Sequence, residues 1–145
     1  MRLTTFSDYS LRVLMYLALQ EERLATIQEI ASAYGISESH LMKVVHQLAL
    51  NGLVETVRGK GGGMRLARDP ADVRLGEVVR QAEGSTPIVE CLSDEPGCSI
   101  APVCKLAGVL VRAFDALYAE LDRYTLADLV KRPSELKRIL MVQPG

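Results

Sequence analysis

Histidine and cysteine are scarce in this 145-residue chain, which has two His and three Cys. Proton and acyl transfer near neutral pH lean on His, paired acids or a nucleophile held beside a base. Both histidines, His40 and His46, fall in one predicted helix, and no Ser, His and Asp set accompanies the cysteines. An enzyme is therefore not expected. Also missing is any run near the roughly 18 apolar residues that a membrane-crossing helix needs. The start, MRLTTFSDYS, has neither the apolar centre nor the small-residue cleavage site of a secretion signal. The expected compartment is the cytoplasm, with no membrane partner. Reducing conditions there disfavour a disulfide framework, so an odd number of clustered thiols points to metal or redox chemistry.

Net charge is also low, −1 over the whole chain, which on its face argues against a nucleic-acid partner. The charge is distributed unevenly, however. Residues 37–68 hold five Lys or Arg against two Glu, a net of +3, whereas residues 69–145 hold nine basic against twelve acidic residues. The basic footprint is thus confined to one short stretch, and the pattern beneath it decides what it means.

Nearly half the residues are hydrophobic, 48%, enough for one core with a short extension. Leu11, Leu14, Met15, Ala18 and Leu19 recur at helical spacing and predict a first helix over 8–20, with Ser7 or Asp8 as N-cap. Thr26-Ile-Gln-Glu29 has the form of a capping box before Ile30, Ala31 and Ala33. Gly35 then ends this second helix and Ser37 opens a third, with Leu41, Val44, Val45 and Leu48 apolar. Two helices joined by a tight turn resemble a helix-turn-helix, whose second helix enters the DNA major groove. With the apolar set turned inward, Ser39, His40, Lys43, His46 and Gln47 face outward as a hydrogen-bonding surface with one cation, His46 the weakest contact among them.

Beyond Asn51-Gly52, Leu53–Val57 and Met64–Ala67 read as strands around Arg58-Gly-Lys-Gly-Gly-Gly63. This predicts a basic β-hairpin, a wing, with Arg58, Lys60 and Arg65 at or beside its tip as contacts to the DNA backbone or minor groove. A phosphate-cradling nucleotide loop is excluded, because that motif needs a Lys-Ser or Lys-Thr pair and a following helix. A further helix spans Leu75–Ala82, and residues 85–104 then lose periodicity, carrying three Pro, one Gly and all three cysteines. From Lys105 on, Leu106, Leu110, Ala113, Leu117 and Leu121 form a long apolar stripe, most economically explained by dimerisation. Pro133 opens a last short helix. The expected fold is mainly α with a small β-hairpin: a winged helix-turn-helix over 1–84, a cysteine-rich loop over 85–104, and a dimerisation helix and C-terminal helix over 105–145.

Cys91, Cys98 and Cys104 place three soft donors within fourteen residues. Zinc wants four ligands and an obvious fourth is missing, whereas an iron–sulfur cube has four iron corners, three of which these thiolates can fill. Glu90, Asp94, Glu95 or an acidic residue of another subunit are alternatives for the fourth.

Taken together, Leu3-Thr4, Phe6-Ser7-Asp8-Tyr9, Leu11–Leu14, Ile27–Ile36, Asn51–Val54, Arg58–Gly63, Leu66–Arg68 and the three cysteines resemble the Rrf2 family of winged-helix regulators over almost the whole chain, and most of all its nitric-oxide-sensing repressor branch. The resemblance implies a homodimer on a palindromic operator in double-stranded DNA, with one 4Fe-4S cluster per subunit held by Cys91, Cys98 and Cys104, and a 2Fe-2S cluster as the alternative. In that branch the fourth ligand is a carboxylate near the start of the partner chain, a position that matches Asp8. Nitric oxide reacting with or removing the cluster then relieves DNA binding. Six residues separate Cys91 from Cys98, where five or fewer are common in the family. No His follows Cys104 closely, which sets the chain apart from the family's iron–sulfur biogenesis regulators. Sensing of redox state, oxygen or iron supply is the alternative within the family, and a small iron–sulfur or zinc protein without a DNA role is the alternative outside it.

Overall fold

The computed structural model describes residues 1–20, 22–84, 92 and 97–140. Among the described residues, seven α-helices and one hairpin follow in the order α1 (Thr5–Gln20), α2 (Ile27–Tyr34), α3 (Glu38–Leu50), β1 (Val54–Val57), β2 (Gly63–Leu66), a 3₁₀ turn (Pro70–Asp72), α4 (Leu75–Glu83), α5 (Leu106–Leu121), α6 (Leu126–Leu129) and α7 (Pro133–Leu140). This is the mainly helical, winged architecture that the apolar periodicity predicts.

Local chemistry sets most boundaries. Gly35 takes the left-handed conformation at φ 67° and ends α2, and its N–H and that of Ile36 both donate to the Ala31 carbonyl. Only glycine adopts that conformation cheaply. Ser37 then caps α3 by accepting the His40 N–H at 3.3 Å. The expected capping box at α2 is half made. Thr26 accepts the Glu29 N–H, but the Glu29 carboxylate turns away to a bidentate pair with Arg23 at 2.7 and 3.0 Å. A charge-assisted fork outcompetes one neutral backbone donor.

The predicted cap of α1 is corrected. The helix starts earlier, at Thr5, and Thr4 Oγ1 accepts the Ser7 N–H at 3.2 Å, which leaves Ser7 and Asp8 inside the first turn. Glu83, at the end of α4, closes this start from the other side. Its Oε1 accepts from Thr4 N–H at 2.8 Å, Thr4 Oγ1 at 3.1 Å and the fully buried Ser7 Oγ at 2.5 Å. Burial alone would raise the Glu83 carboxyl, yet the hydrogen bonds from Ser7 and Thr4 more than offset it and hold it below the usual carboxylate range. Because the folded state binds this proton less readily than the unfolded chain, the clasp stabilises fully above the ordinary Glu value of about 4.3. That contribution is lost as pH falls through the lower folded value. Glu83→Gln should therefore flatten acid unfolding below about pH 4.3, as read by circular dichroism.

One core holds these elements together. Val13, Leu14 and Leu17 of α1, Ile30 of α2, Leu41, Val44 and Leu48 of α3, Leu53 and Met64 of the hairpin and Val78 of α4 are all buried in it. So is Leu126 of α6, at 0% exposure. A four-residue helix escapes periodicity analysis, and this one is fixed by a capping box between Thr125 and Asp128. It is stitched to the segment before α4, with Leu126 N–H donating to Val73 at 2.8 Å and Leu75 N–H to Tyr124 at 3.0 Å. Nearby, Arg80 grips Asp122 through two bonds of 2.9 and 2.7 Å, which orients the end of α5 against α4.

Candidate nucleic-acid interface and sensory residues

Packing of Leu41, Val44, Val45 and Leu48 into the core fixes which way α3 presents its other faces. Ser39, Met42, Lys43 and His46 are exposed. His40 and Gln47 are half-buried and already engaged: the His40 ring meets Tyr9 of α1 edge-on, centroids 4.8 Å apart, and Gln47 Nε2 donates to Asn51 Oδ1 at 3.3 Å. Sequence periodicity identified the polar members of this face. It passed over Met42, because an apolar residue in a helix is read as an inward one.

The wing follows α3 directly. Val54 pairs with Leu66, Glu55 with Arg65, Thr56 with Met64 and Val57 with Gly63. Ala25, ahead of α2, adds a one-residue third rung through two backbone bonds with Met64 of 3.0 and 2.8 Å. This close approach explains Gly63, where a Cβ would lie 2.6 Å from the Ala25 carbonyl oxygen. Arg58 and Lys60 are exposed in the turn. Arg65 stands on β2 rather than at the tip, with its guanidinium on the cross-strand Glu55 at 3.2 and 3.3 Å. Arg68 pairs likewise with Glu77 at 2.9 Å. Of the five cations in the basic stretch, Lys43, Arg58 and Lys60 are thus without an ion-pair partner among the described residues.

Arg12 is the hub of the other candidate region. It makes a bidentate pair with Asp8 at 3.0 and 3.1 Å, one helical turn away. Its guanidinium also lies 5.7 Å from the ring centroids of both Tyr9 and Tyr34. Tyr34 completes the set by donating its hydroxyl to the Arg12 carbonyl at 2.9 Å, and burial pushes that hydroxyl up to about 12, so it stays a donor. The Asp8 carboxylate is half-exposed and points out of the core. Through Tyr9 and His40, the turn that carries it touches the first turn of α3.

Cys98 and Cys104 are free thiols, the first exposed and the second half-buried, in a chain of turns that leads into α5. Cys91 and the alternative carboxylates Glu90, Asp94 and Glu95 lie outside the described residues. Among the described residues no three His, Cys, Asp or Glu side chains gather at one point. The donors that can be placed have the chemistry an iron–sulfur group takes: one exposed and one half-buried free thiol, and a half-exposed carboxylate paired to Arg12. No helix among the described residues is long and apolar enough to cross a membrane.

Residues 3–132 match the Rrf2 family, described as an iron-dependent transcriptional regulator. The chain is 48% identical to the HTH-type transcriptional regulator NsrR of Bacillus subtilis, with 99% of each chain covered. It is 44% identical to the regulator of the same name from Halalkalibacterium halodurans, covering 99% of this chain and all of that one. Among solved structures, IscR of T. potens aligns with 27% identity and a TM-score of 0.74 over 100% of this chain and 94% of that one. The chain belongs to the Rrf2 family and is a DNA-binding transcriptional regulator of the winged-helix type.

Proposed function

We propose that the chain is a homodimeric repressor that senses nitric oxide through an iron–sulfur cluster, a 4Fe-4S cluster held by Cys91, Cys98, Cys104 and Asp8 of the partner subunit. The observation that carries this reading is the position of Asp8. It is not a helix cap. It is a half-exposed carboxylate on the turn of α1 that reaches α3 through Tyr9 and His40. A carboxylate so placed is available to a second subunit, and whatever draws it off Arg12 acts on the element that faces DNA. Likeness to the NsrR-named regulators and to the nitric-oxide-sensing branch supports the choice of signal.

Such a cluster, when bound, supplies an iron corner with a weak, hard oxygen ligand, where a diatomic ligand enters most easily. The remaining work belongs to the chain. Asp8, now paired to Arg12, would be the oxygen ligand offered to the cluster, and Arg12 is held independently beside the rings of Tyr9 and Tyr34. The Glu83 clasp ties the start of α1 to the point where the cysteine loop leaves α4. A change in that loop is thereby passed to α1 rather than absorbed locally.

Dimerisation is supported by α5, which is rich in apolar residues yet has none buried, with Leu106 58% and Val109 50% exposed. An apolar helix left open to water marks an interaction surface, and a twofold protein suits a palindromic site. On that DNA, Ser39, Lys43, Arg58 and Lys60 are the free contacts, while His40, Gln47 and Arg65 must first leave a partner. Lys43→Ala and Arg58→Ala should each lower the slope of log affinity against log salt by about 0.9 for each phosphate contact removed. Arg65→Ala should change it less, because Glu55 already neutralises that charge.

The deciding test is an anaerobic titration of the purified protein with nitric oxide, followed by visible absorption and operator binding together. Collapse of a sulfur-to-iron charge-transfer band over a few equivalents, with loss of DNA binding, is expected. A band that responds to oxygen or iron depletion but not to nitric oxide would make the protein a redox or iron-supply sensor. Colourless protein after reconstitution would remove the cluster and leave only the DNA-binding role.

A further inference from the structure

Met42 lies in the middle of the outer face of α3 with 58% of its surface exposed. It stands between Ser39 and His46 along the helix and beside Lys43, all three exposed and polar. Nothing in the fold calls for a large apolar side chain there, since the core of α3 is complete with Leu41, Val44, Val45 and Leu48. Two of the polar residues on this side, His40 and Gln47, are turned back onto Tyr9 and Asn51. A major groove presents polar edges at every base pair and one apolar feature, the C5 methyl of thymine. The charge around Met42 suits that groove, because Lys43, Arg58 and Lys60 have no ion-pair partner among the described residues.

We propose that Met42 is a specificity-determining residue that packs its thioether against a thymine methyl in the operator half-site, selecting an A·T pair at one position. The unbranched side chain reaches out from the helix and adapts its three torsions to the methyl. Lys43, one residue on, is positioned for a neighbouring phosphate or guanine edge, so discrimination and attachment fall to adjacent residues. This inference rests on the reading that α3 enters the major groove.

The test uses the full chain, purified anaerobically, and a pool of random-sequence DNA duplexes from which bound sites are selected and sequenced. The wild type should enrich sites with thymine at a fixed half-site position. Uracil in place of that thymine, which removes only the methyl, should weaken binding about fourfold, the transfer energy of about 0.8 kcal/mol for one buried methyl-sized group. Met42→Ala should bind thymine and uracil duplexes alike and enrich sites with no preference at that position. Its exposed side chain makes folding of the variant safe, and circular dichroism checks it. Equal wild-type affinity for both duplexes overturns the assignment, as does a methyl effect that persists in Met42→Ala. Lys43→Ala separates the two levels. If it weakens thymine and uracil duplexes equally while the methyl effect is absent from the wild type, α3 sits in the groove and Met42 reads nothing. If it changes neither and the wild type shows no methyl effect, the placement of α3 and the role of Met42 fail together.

Discussion

The full chain carrying Leu126→Ala should lose about 2–5 kcal/mol of unfolding free energy and still unfold in a single transition, as measured by urea denaturation. Leu126 is separated from the hairpin by 60 residues of sequence, yet it is fully buried in the same cluster as Leu14, Leu41 and Leu53. Its backbone is bonded to Val73, and Tyr124, two residues before it, to Leu75, so the backbone of α6 has little freedom to collapse into the cavity left behind. A C-terminal unit that folded by itself would give a different result, with the variant melting α6 and α7 first and leaving the winged helix at its original midpoint. A single shifted midpoint means that the helix proposed for dimerisation is braced at its far end by the DNA-binding core. The Arg80–Asp122 fork, whose carboxylate is held below its usual range chiefly by the hydrogen bonds from Arg80, is part of that brace.

What the sequence discloses follows the range of the interactions involved. The turn between α2 and α3 was legible because its causes are local: a positive φ that calls for glycine at 35, a serine cap at 37, and an apolar period within thirteen residues. The hairpin was legible from strand residues around glycines. Long-range events were not. The start of α1 depends on Glu83, 79 residues from Thr4, and no local signal places a carboxylate there. Neutralisation of Arg65 by Glu55 requires the strand register, since the two are directly opposed in the ladder. Glu29 takes Arg23 rather than the backbone donor that the capping-box pattern predicts, because Arg23 competes from outside the helix. Met42 was hidden for a different reason. Pattern analysis assigns apolar residues to the core, and only the structure reveals that the core of α3 is already full. For the proposed cluster ligands, three clustered thiols stand out in any reading, but Asp8 looks like an ordinary cap until its helix is found to begin at Thr5.

Removing one thiol is expected to have the largest functional effect of any single substitution. For the proposed cluster, Cys98→Ala and Cys104→Ala should each abolish the visible charge-transfer absorption of anaerobically isolated protein, because three soft thiolates would supply nearly all the affinity for iron and two would not hold a cube. Operator affinity should fall with the absorption, by about 5- to 150-fold if the coupling has the usual size of 1–3 kcal/mol. Asp8→Ala should behave differently. A hard carboxylate contributes little to holding iron, so the absorption should persist with an altered shape. The proposed link between subunits, which would reach α3 through the Tyr9–His40 contact, would be cut, and operator affinity should drop as it does in the cysteine variants. Retained absorption with lost DNA binding is the signature of a ligand whose value lies in coupling rather than in affinity. If Asp8→Ala leaves both spectrum and binding unchanged, the carboxylate serves only Arg12. The fourth position then falls to Glu90, Asp94, Glu95 or another acidic residue of a second subunit.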